Sequence, residues 1–476
     1  MAFCTATIMA LKVHDTAEGE LVEFQPIHGN RVHMYVCGPT VYDFCHIGHA
    51  RSYVSFDTIR RYLEFKGYTV IYLQNFTDID DKILKRAKET GQEPRKVSQL
   101  YIDAYFEDMD RLGVRRANFH PRVTDHIPEI IGTVKDLVAK KNAYVADGDV
   151  YFCVTTMKDV VGRLSHQKLE DMLIGARVEP DEKKCDPIDF ALWKKSKPGE
   201  PGWDSPWGKG RPGWHIECST MSTMYLGNTL DIHGGGMDLI FPHHESEIMQ
   251  SEAHTGEPFA KYWLHNGFIN INKEKMSKSL GNFFTIREVL ARYEPEVVRL
   301  FLVSTHYRSQ IDFADSLLEE AKTAHARLRN AFDLLVQAQD SGDAAVGEET
   351  KKATEASRAR FIAGMDEDFD TREAVASLFD LASFSNALLH KGGMSRGDRE
   401  ALMGTFRELG GVLGLLQDKA RDVDVVGGLI ALLQEVRSEC RARKDYATSD
   451  KIRDRLKQIG VLIEDGAQGF RWKIQK

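Results

Sequence analysis

The feature that most restricts the fold of this chain is a strand–helix–strand pattern near its N-terminus. Residues 31–37 alternate in polarity and are rich in β-forming side chains, and Gly38 and Pro39 then break the strand. Residues 50–65 carry apolar side chains at helical spacing, and residues 69–76 form a second apolar run. Two strands joined by a helix predict a parallel sheet with a crossover helix, and therefore an α/β fold.

Length and composition predict a soluble chain of several domains. The 476 residues are too many for one compact core, so two to four domains are expected. No apolar run could cross a bilayer and residues 1–9 lack the pattern of a secretory signal, which predicts a cytoplasmic protein without a membrane partner. The seven cysteines are scattered and odd in number, which favours free thiols or metal ligands over disulfides. Because the net charge is -8, any contact with RNA must come from local basic patches.

The rest of the chain is expected to hold an insertion, a helical region and a small terminal unit. Residues 118–229 change in character and include a loop-rich stretch of Trp, Pro and Gly at 198–214. A strand is predicted at 229–233, then a glycine turn at 234–236 and a helix that starts near Pro242. Residues 313–416 are mostly helical, a linker follows at 418–428, and a basic helical stretch at 429–459 precedes a short β unit at 460–476.

Two short motifs could handle phosphate groups. His46, Gly48 and His49 stand where the first long helix should begin, and a helix N-terminus favours an anion. Glycine leaves room for a nucleotide and two imidazoles can donate hydrogen bonds, although a pair of capping or surface histidines explains this motif equally well. Lys275 and Lys278 flank Met and Ser in a second motif that could clamp a triphosphate, although a solvated charged loop is the commoner explanation.

Four side chains of the metal-binding types are candidates for one site. His243 and Glu247 are four residues apart, so a helix would place them on one face, and Cys37 and Cys218 could complete a zinc set of two thiolates, one imidazole and one carboxylate. The spacing is not that of a zinc finger. From spacing alone, two buried cysteines and a surface His–Glu pair are favoured, and His244 with Glu247 is a competing pair.

Taken together, the two phosphate motifs resemble the signatures of the class I aminoacyl-tRNA synthetases, His-x-Gly-His and Lys-Met-Ser-Lys-Ser. Within that class the chain resembles the cysteinyl-tRNA synthetase family over nearly its whole length. The matching blocks are residues 35–43, 75–82, 210–219 and 231–245, and the similarity continues through 275–279 to the tail at 460–472. The resemblance implies a Rossmann-type parallel-sheet catalytic domain split by an insertion, followed by an all-α helical bundle and a small C-terminal anticodon-binding domain.

The same resemblance implies the domain boundaries. The catalytic domain would occupy residues 1–117 and 229–272, with the connective insertion at 118–228 between its halves. The signature loop and the stem-contact region would occupy 273–315, the helical bundle 316–417, and the anticodon-binding domain 429–476.

The resemblance also assigns roles to individual residues. It implies one Zn²⁺ per chain, with ligands at Cys37, Cys218, His243 and Glu247. The substrate cysteine would contact Thr77, Trp214 and His233. ATP, accompanied by Mg²⁺, would bind near Gly48, Gly234, Gly235, Asp238 and Lys278. The catalytic groups that stabilise the transferring phosphates would be His46, His49, Lys275 and Lys278.

The implied reaction is the ATP-dependent activation of L-cysteine and its transfer to the 3′-terminal adenosine of tRNA(Cys). The expected partners are tRNA(Cys), L-cysteine and ATP, and the expected state is a monomer. A related possibility is a ligase that joins cysteine to an amino sugar, but such relatives lack the anticodon-binding end that this chain has. A third possibility is a catalytically silent protein that binds zinc, nucleotide and RNA, which the intact phosphate motifs argue against.

Overall fold

Two units divide the chain, Met1–Leu416 and Gln417–Lys476. The computed structural model describes residues 10–167, 183–271, 274–275, 284–338, 342–392, 394–417, 425–458, 461–466 and 469–474. The strands in chain order are β1 Lys12–Asp15, β2 Glu20–Glu23, β3 Arg31–Val36, β4 Thr69–Leu73, β5 Ala143–Ala146, β6 Asp149–Phe152, β7 Phe190–Lys195, β8 Gly210–Pro212, β9 Leu230–Gly236, β10 Ala260–Asn266, β11 Ile269–Ile271, β12 Glu274–Lys275, β13 Ile311–Phe313, β14 Val461–Gly466 and β15 Gly469–Ile474.

The helices begin and end as follows in chain order: α1 Ile47–Phe65, α2 Asp81–Thr90, α3 Pro94–Arg111, α4 Ile127–Ala139, α5 Trp214–Leu226, α6 Glu245–Thr255, α7 Ile286–Leu290, α8 Pro295–Val303, α9 Asp315–Gln337, α10 Glu348–Asp366, α11 Thr371–Lys391, α12 Arg396–Leu413, α13 Val425–Ala442 and α14 Tyr446–Gln458. Among the described residues, none of these helices is long and apolar enough to cross a membrane.

A parallel sheet with the strand order β10-β9-β3-β4 forms the centre of the first unit. Strand β3 pairs in parallel with β4 on one side and with β9 on the other, and β10 pairs in parallel with β9. Helix α1 connects β3 to β4, so the strand–helix–strand unit predicted from the sequence is confirmed. The side chains of Val32, Met34 and Tyr35 are all fully buried, as expected for a strand covered on both faces.

Helix α1 begins three residues earlier than the apolar pattern predicts. His46 is its N-cap, and the side chains of His46 and His49 each accept a hydrogen bond from the backbone N–H of the other. Histidine is not among the usual capping residues, so the apolar pattern and capping signals alone did not show this start, although the position of the phosphate motif indicated it. The helix therefore begins at the phosphate motif itself.

The predicted glycine turn at 234–236 is wrong, because strand β9 continues through Gly236. The neighbouring strands β3 and β10 both pair with this segment, which holds it extended. A Cβ added at Gly234 would lie 2.3 Å from Cε1 of Phe56, and one at Gly235 would lie 2.9 Å from Cε1 of His244. The glycines are thus required by close packing at the end of a strand rather than by a turn.

Residues between β4 and β9 form a second small sheet. Strands β5, β6, β7 and β8 are antiparallel in that order, and helices α4 and α5 lie in the same part of the chain. Trp193, Phe152 and Ile130 belong to its buried core. The sequence predicted an insertion with helices and a loop-rich segment here, but its four-stranded sheet was not predicted.

Helices α9 to α12 pack against one another and share a hydrophobic core with α1 and the parallel sheet. Asp366 at the end of α10 accepts a hydrogen bond from the Tyr62 hydroxyl at 2.6 Å and pairs with Lys66 at 3.0 Å. Asp57 of α1 pairs with Arg299 of α8, and both side chains are buried. The helix that carries the phosphate motif is therefore fixed to the helical region by buried polar contacts.

The second unit contains helices α13 and α14 and the antiparallel pair β14–β15, which is in register from Val461 with Ile474 to Gly466 with Gly469. Leu456 and Val461 are buried against Leu433 and Ile452. The short β unit predicted at the C-terminus is confirmed, as is the helical stretch before it.

Candidate metal centre and active site

The four predicted metal ligands meet at the carboxyl edge of the parallel sheet. Cys37 follows β3 directly, Cys218 lies in the second turn of α5, His243 lies in a short helical turn at Ile240–His244, and Glu247 lies in the first turn of α6. All four side chains are buried, and one donor atom from each lies within 4.8 Å of the donor atoms of the others.

The spacing of these donor atoms fits a tetrahedral zinc ion. The Sγ atoms of Cys37 and Cys218 are 3.9 Å apart, and Cys218 Sγ lies 3.5 Å from Nε2 of His243. Oε1 of Glu247 lies 3.6 Å from Cys37 Sγ and 3.0 Å from His243 Nε2. An ion with bonds of about 2.3 Å to sulfur and about 2.0–2.1 Å to nitrogen or oxygen separates its donors by about 3.3–3.8 Å. The observed separations run from 3.0 to 3.9 Å, so the two thiols, the imidazole and the carboxylate suit the metal in chemistry and need only small shifts to reach its bonding distances.

A second set of ligands shares two members with the first. Cys37, His233, His244 and Glu247 also bring their donor atoms within 4.8 Å of one another. His244 Nε2 lies 3.2 Å from Cys37 Sγ, and His233 Nε2 lies 2.9 Å from Oε2 of Glu247. The competing pair of His244 and Glu247 noted in the sequence thus has a structural counterpart, with one thiol in place of two.

Further histidines surround the candidate ligands. Nδ1 of His215 lies 2.8 Å from Nδ1 of His243, and Nδ1 of His244 lies 2.8 Å from Nε2 of His265. A hydrogen bond to the second ring nitrogen of a ligand histidine fixes its orientation and tautomer. Sequence reasoning missed His215 and His265. The three-residue spacing of His215 and Cys218 on one helix face was the signal that could have found the first.

Burial and mutual charge shift the pKa values of the candidate ligands in the metal-free protein. Burial opposes ionisation of Glu247, but His233 and His243 outweigh it and hold the pKa of this carboxyl at about 2. Burial also raises the pKa of the Cys218 thiol, while the hydrogen bond from Cys37 and the charge of His243 bring it down to about 6. Burial lowers the pKa of His243, and the charges of Glu247 and Cys218 raise it to about 10. The Cys218 thiolate and the Glu247 carboxylate thus share one positive charge, that of His243. The resulting excess of negative charge suits a divalent cation.

The three predicted contacts of the substrate cysteine lie around this centre. Trp214 is 38% exposed and stacks on the ring of His243 with centroids 4.1 Å apart. His233 is fully buried in β9, where it stacks on Trp263 and contacts Glu247. Thr77 is buried, and its backbone forms an isolated bridge with Thr40. Trp214 and His233 therefore contact candidate ligands directly, whereas Thr77 contacts Glu217, the neighbour of Cys218 in α5.

A hydrogen-bonded group that the sequence did not reveal lies behind Thr77. The Thr77 hydroxyl donates to Oε2 of Glu217 at 2.8 Å, and Nδ2 of Asn75 lies 3.5 Å from the same hydroxyl. Burial, followed by the charge of Cys218, raises the pKa of the Glu217 carboxyl well above its usual range. Glu217 stands in the matching block at 210–219, but no local feature of the sequence distinguishes it from an ordinary helix glutamate.

The phosphate motif presents two imidazoles of defined tautomer. The backbone N–H of His46 donates to Nδ1 of His49 at 3.2 Å, and the backbone N–H of His49 donates to Nδ1 of His46 at 3.3 Å. The two rings stack with centroids 3.8 Å apart. Because each Nδ1 accepts a hydrogen bond, the hydrogen of each neutral ring lies on Nε2, which can donate to a phosphate oxygen. Capping and phosphate binding are therefore compatible functions of the same pair.

The remaining predicted residues differ in how much the structure describes. Gly48 lies in the first turn of α1, Gly234 and Gly235 lie at the end of β9, and Asp238 is exposed just beyond it. Lys275 belongs to strand β12. The prediction for Lys278 falls outside the described residues.

Comparison with known proteins agrees with this arrangement. The family model described as "tRNA synthetases class I (C) catalytic domain" matches residues 23–323, and a DALR domain model matches residues 360–417. The cysteine–tRNA ligase of Heliobacterium modesticaldum is 53% identical over 480 residues and covers 98% of this chain and 100% of its own length. The cysteine–tRNA ligase of Thermococcus gammatolerans is 49% identical over 476 residues and covers 98% of this chain and 99% of its own.

Solved structures share the fold at low sequence identity. The methionyl-tRNA synthetase of Mycobacterium tuberculosis in complex with methionyl-adenylate superposes with a TM-score of 0.59 at 14% identity, covering 81% of this chain and 89% of that chain. The LeuRS-tRNA-LeuAMS ternary complex of Agrobacterium radiobacter gives a TM-score of 0.56 at 13% identity, with coverage of 82% and 84%. These similarities establish the α/β fold, while the family model covers more than half of the sequence and the curated relatives cover nearly all of it. The chain therefore belongs to the cysteine–tRNA ligase family of the class I tRNA synthetases.

Proposed function

We propose that this chain activates L-cysteine with ATP and transfers it to tRNA(Cys), and that Zn²⁺ held by Cys37, Cys218, His243 and Glu247 selects the substrate thiol. The observation that carries the proposal is the meeting of four buried donors, one from each residue, within 4.8 Å of one another. They meet at the carboxyl edge of a parallel sheet, which is where ligands bind in folds of this kind.

A metal is the effective means of selection because serine and cysteine differ by one atom. The shape of a pocket rejects such an isostere only weakly. A bound Zn²⁺ would supply a soft Lewis acid that prefers a thiolate to a neutral hydroxyl. The protein's own part is to hold two thiols, an imidazole and a carboxylate at the required spacing and to keep them from water.

For the first step, we assign phosphate binding to the N-terminus of α1. The carboxylate of cysteine attacks the α-phosphate of ATP, and the bond between the α- and β-phosphates breaks to give cysteinyl-adenylate and pyrophosphate. Nε2 of His46 and of His49 donates hydrogen bonds to phosphate oxygens as charge builds there, and the helix terminus adds partial positive charge. Lys275 and Lys278 stabilise the pyrophosphate, and Mg²⁺ accompanies ATP. Catalysis then depends on positioning and charge more than on proton transfer.

In the second step the 3′-terminal adenosine of tRNA takes the cysteinyl group, and AMP leaves. The relatives cover the chain almost to its end and the DALR match occupies residues 360–417, which favours tRNA over an amino sugar as the acceptor. We assign anticodon contacts to the second unit. Exposed cations at Lys451, Arg453, Arg455 and Lys457 lie along α14 and suit a phosphate backbone.

Metal analysis combined with cysteine-dependent ATP–pyrophosphate exchange tests this proposal. We expect about one zinc per chain, exchange that depends on cysteine and not on serine, and charging of tRNA(Cys). Removal of zinc by a chelator should abolish exchange, and added zinc should restore it. Exchange that is independent of zinc would refute the role of the metal, and exchange without tRNA charging would point to a different acceptor.

A further inference from the structure

Glu217 is a buried carboxyl group for which the described part of the chain supplies no counterion. It is 1% exposed, and its one hydrogen-bond donor among the described side chains is the hydroxyl of Thr77, 2.8 Å from Oε2. No lysine, arginine or histidine in the described part of the chain forms an ion pair with it. A buried carboxyl of this kind is costly unless a cation or further donors complete its surroundings.

The hydrogen bonds on either side of Thr77 all point the same way, from Tyr35 towards Glu217. Oδ1 of Asn75 accepts from the Tyr35 hydroxyl at 3.0 Å and from the backbone N–H of Gly38 at 2.8 Å. These two bonds fix the orientation of the Asn75 amide, so its Nδ2 faces Thr77 at 3.5 Å. The Thr77 hydroxyl in turn donates to Glu217. Each member of the chain Tyr35, Asn75, Thr77 and Glu217 therefore donates to the next, and the carboxyl group ends the chain.

This direction decides what Thr77 can offer to a ligand. A hydroxyl has one hydrogen and two lone pairs, and the hydrogen of Thr77 is committed to Glu217. Only a lone pair remains, so Thr77 can accept a hydrogen bond but cannot donate one. Its backbone is held as well, since its N–H donates to the Pro39 carbonyl at 3.3 Å and its carbonyl accepts from Val41 at 3.2 Å. Thr77 is thus a fixed acceptor beside a carboxyl group.

We propose that Glu217 is a positioning residue: by accepting the hydrogen of the Thr77 hydroxyl, it makes Thr77 an acceptor for the α-ammonium group of the substrate. An α-ammonium group is a donor of three hydrogen bonds with no acceptor of its own, so it suits the lone pair that remains on Thr77. Glu217 and Cys218 are consecutive in α5, so the Thr77–Glu217 pair lies beside a candidate ligand of the zinc that would bind the substrate thiol. The inference rests on the proposed function, because it takes cysteine to bind at this centre.

The test compares two thiols with and without the amino group. In Glu217→Gln the amide can donate to Thr77 instead of accepting from it, so we expect the KM for cysteine in pyrophosphate exchange to rise about 10- to 100-fold, the range of a lost hydrogen bond to the charged ammonium group. The inhibition constant of 3-mercaptopropionate, which has the thiol and the carboxylate but no ammonium, should change by less than about twofold because it makes no such bond. Equal changes for both compounds, or an unchanged KM for cysteine, would overturn the proposal.

Glu245→Gln is the matched control. Glu245 is fully buried like Glu217, but its carboxylate accepts from the backbone N–H groups of Gly162 at 2.6 Å and Ser165 at 2.9 Å. This variant should leave the ratio between the two thiols as in the wild type. Selective weakening of cysteine in this control as well would show a general effect of altering a buried carboxyl group and would contradict the inference.

Thr77→Val provides a second route if Glu217→Gln does not fold. It removes the acceptor and should weaken cysteine but not 3-mercaptopropionate, and adding Glu217→Gln should weaken cysteine little further. Additive effects, or an unchanged ratio in Thr77→Val, would refute a role exerted through Thr77.

Zinc content and pyrophosphate exchange of the wild type are measured in parallel. A wild type without cysteine-dependent exchange would refute the proposed function, whereas normal wild-type exchange with an unaltered ratio in the variants would refute only this inference.

Discussion

Replacing Cys218 with serine separates the two possible ligand sets. Cys218 Sγ lies 3.9 Å from Cys37 Sγ and 3.5 Å from His243 Nε2, so it is one corner of the proposed tetrahedron but absent from the set that uses His233 and His244. Buried zinc sites bind with about 10–16 kcal/mol, or about 2.5–4 kcal/mol per donor if four share it equally. A serine hydroxyl is a poor ligand at neutral pH, so Cys218→Ser should weaken zinc binding about 100- to 1,000-fold.

His244→Asn is the matched comparison. His244 Nε2 lies 3.2 Å from Cys37 Sγ, so in the proposed site it contacts a ligand without binding the metal. Loss of such a contact typically weakens a metal site about 10- to 100-fold. Zinc affinity is measured by competition with a chromophoric chelator, with cysteine-dependent exchange recorded on the same samples.

Cobalt substitution counts the thiolates directly. The sulfur-to-cobalt charge-transfer absorption scales with the number of bound thiolates, and it is read at saturating metal, where affinity no longer matters. The proposed set holds both Cys37 and Cys218, so Cys218→Ser should lose about half of this absorption while His244→Asn keeps it. Full absorption in Cys218→Ser together with loss of the metal in His244→Asn would refute the proposed ligands in favour of the alternative set.

Four further predictions concern other parts of the first unit. His49→Ala should slow adenylate formation about 100- to 1,000-fold without changing the KM for cysteine, because its Nε2 donor is assigned to the phosphate; an unchanged exchange rate would contradict this. Lys278→Ala should slow the same step by orders of magnitude, and normal pyrophosphate exchange in that variant would remove the lysine from the mechanism. Asp57→Asn leaves the buried guanidinium of Arg299 without its carboxylate partner, so the first unit should lose about 3–5 kcal/mol of stability and unfold at a lower temperature. As a control, Asp380→Asn removes one partner of an exposed ion pair and should change the unfolding temperature little. Burial raises the pKa of Asp57 but Arg299 and Arg61 hold it below 3.8, so its stabilisation is present at neutral pH and is lost as the pH falls through that lowered pKa; identical acid unfolding of wild type and variant would contradict this.

Several helices and strands could be predicted because short local patterns in the sequence determine them. The alternation at 31–37 gave strand β3, the apolar spacing at 50–65 gave most of α1, and the tail gave the pair β14–β15. Gly234 and Gly235 misled the prediction because glycine is a breaker in an isolated strand. Here two neighbouring strands pair with the segment, and the rings of Phe56 and His244 fill the space of the missing side chains.

The site could be predicted only in part, because its members come from distant segments. His243 and Glu247 share a face by their spacing, and their contact at 3.0 Å confirms that expectation. Cys37 and Cys218 are 181 residues apart, and spacing alone favoured two unrelated buried cysteines. Only the resemblance to a family predicted that both cysteines bind the same zinc ion. The partners of Thr77 were not found, because nothing local distinguishes Glu217 from an ordinary helix glutamate.

The arrangement of the parallel strands explains how one small region can contact both the thiol and the ammonium group of an amino acid. Strands β9, β3 and β4 are adjacent, so His233, Cys37 and Thr77 come to the same edge of the sheet from three separate segments. Helix α5 then reaches two of these segments from consecutive positions, which point about 100° apart on a helix: Cys218 lies against Cys37, and Glu217 against Thr77. With the proposed assignments, the same helical turn sets the position of the thiol and of the ammonium group, so a displacement of α5 would disturb recognition of both at once rather than of either alone.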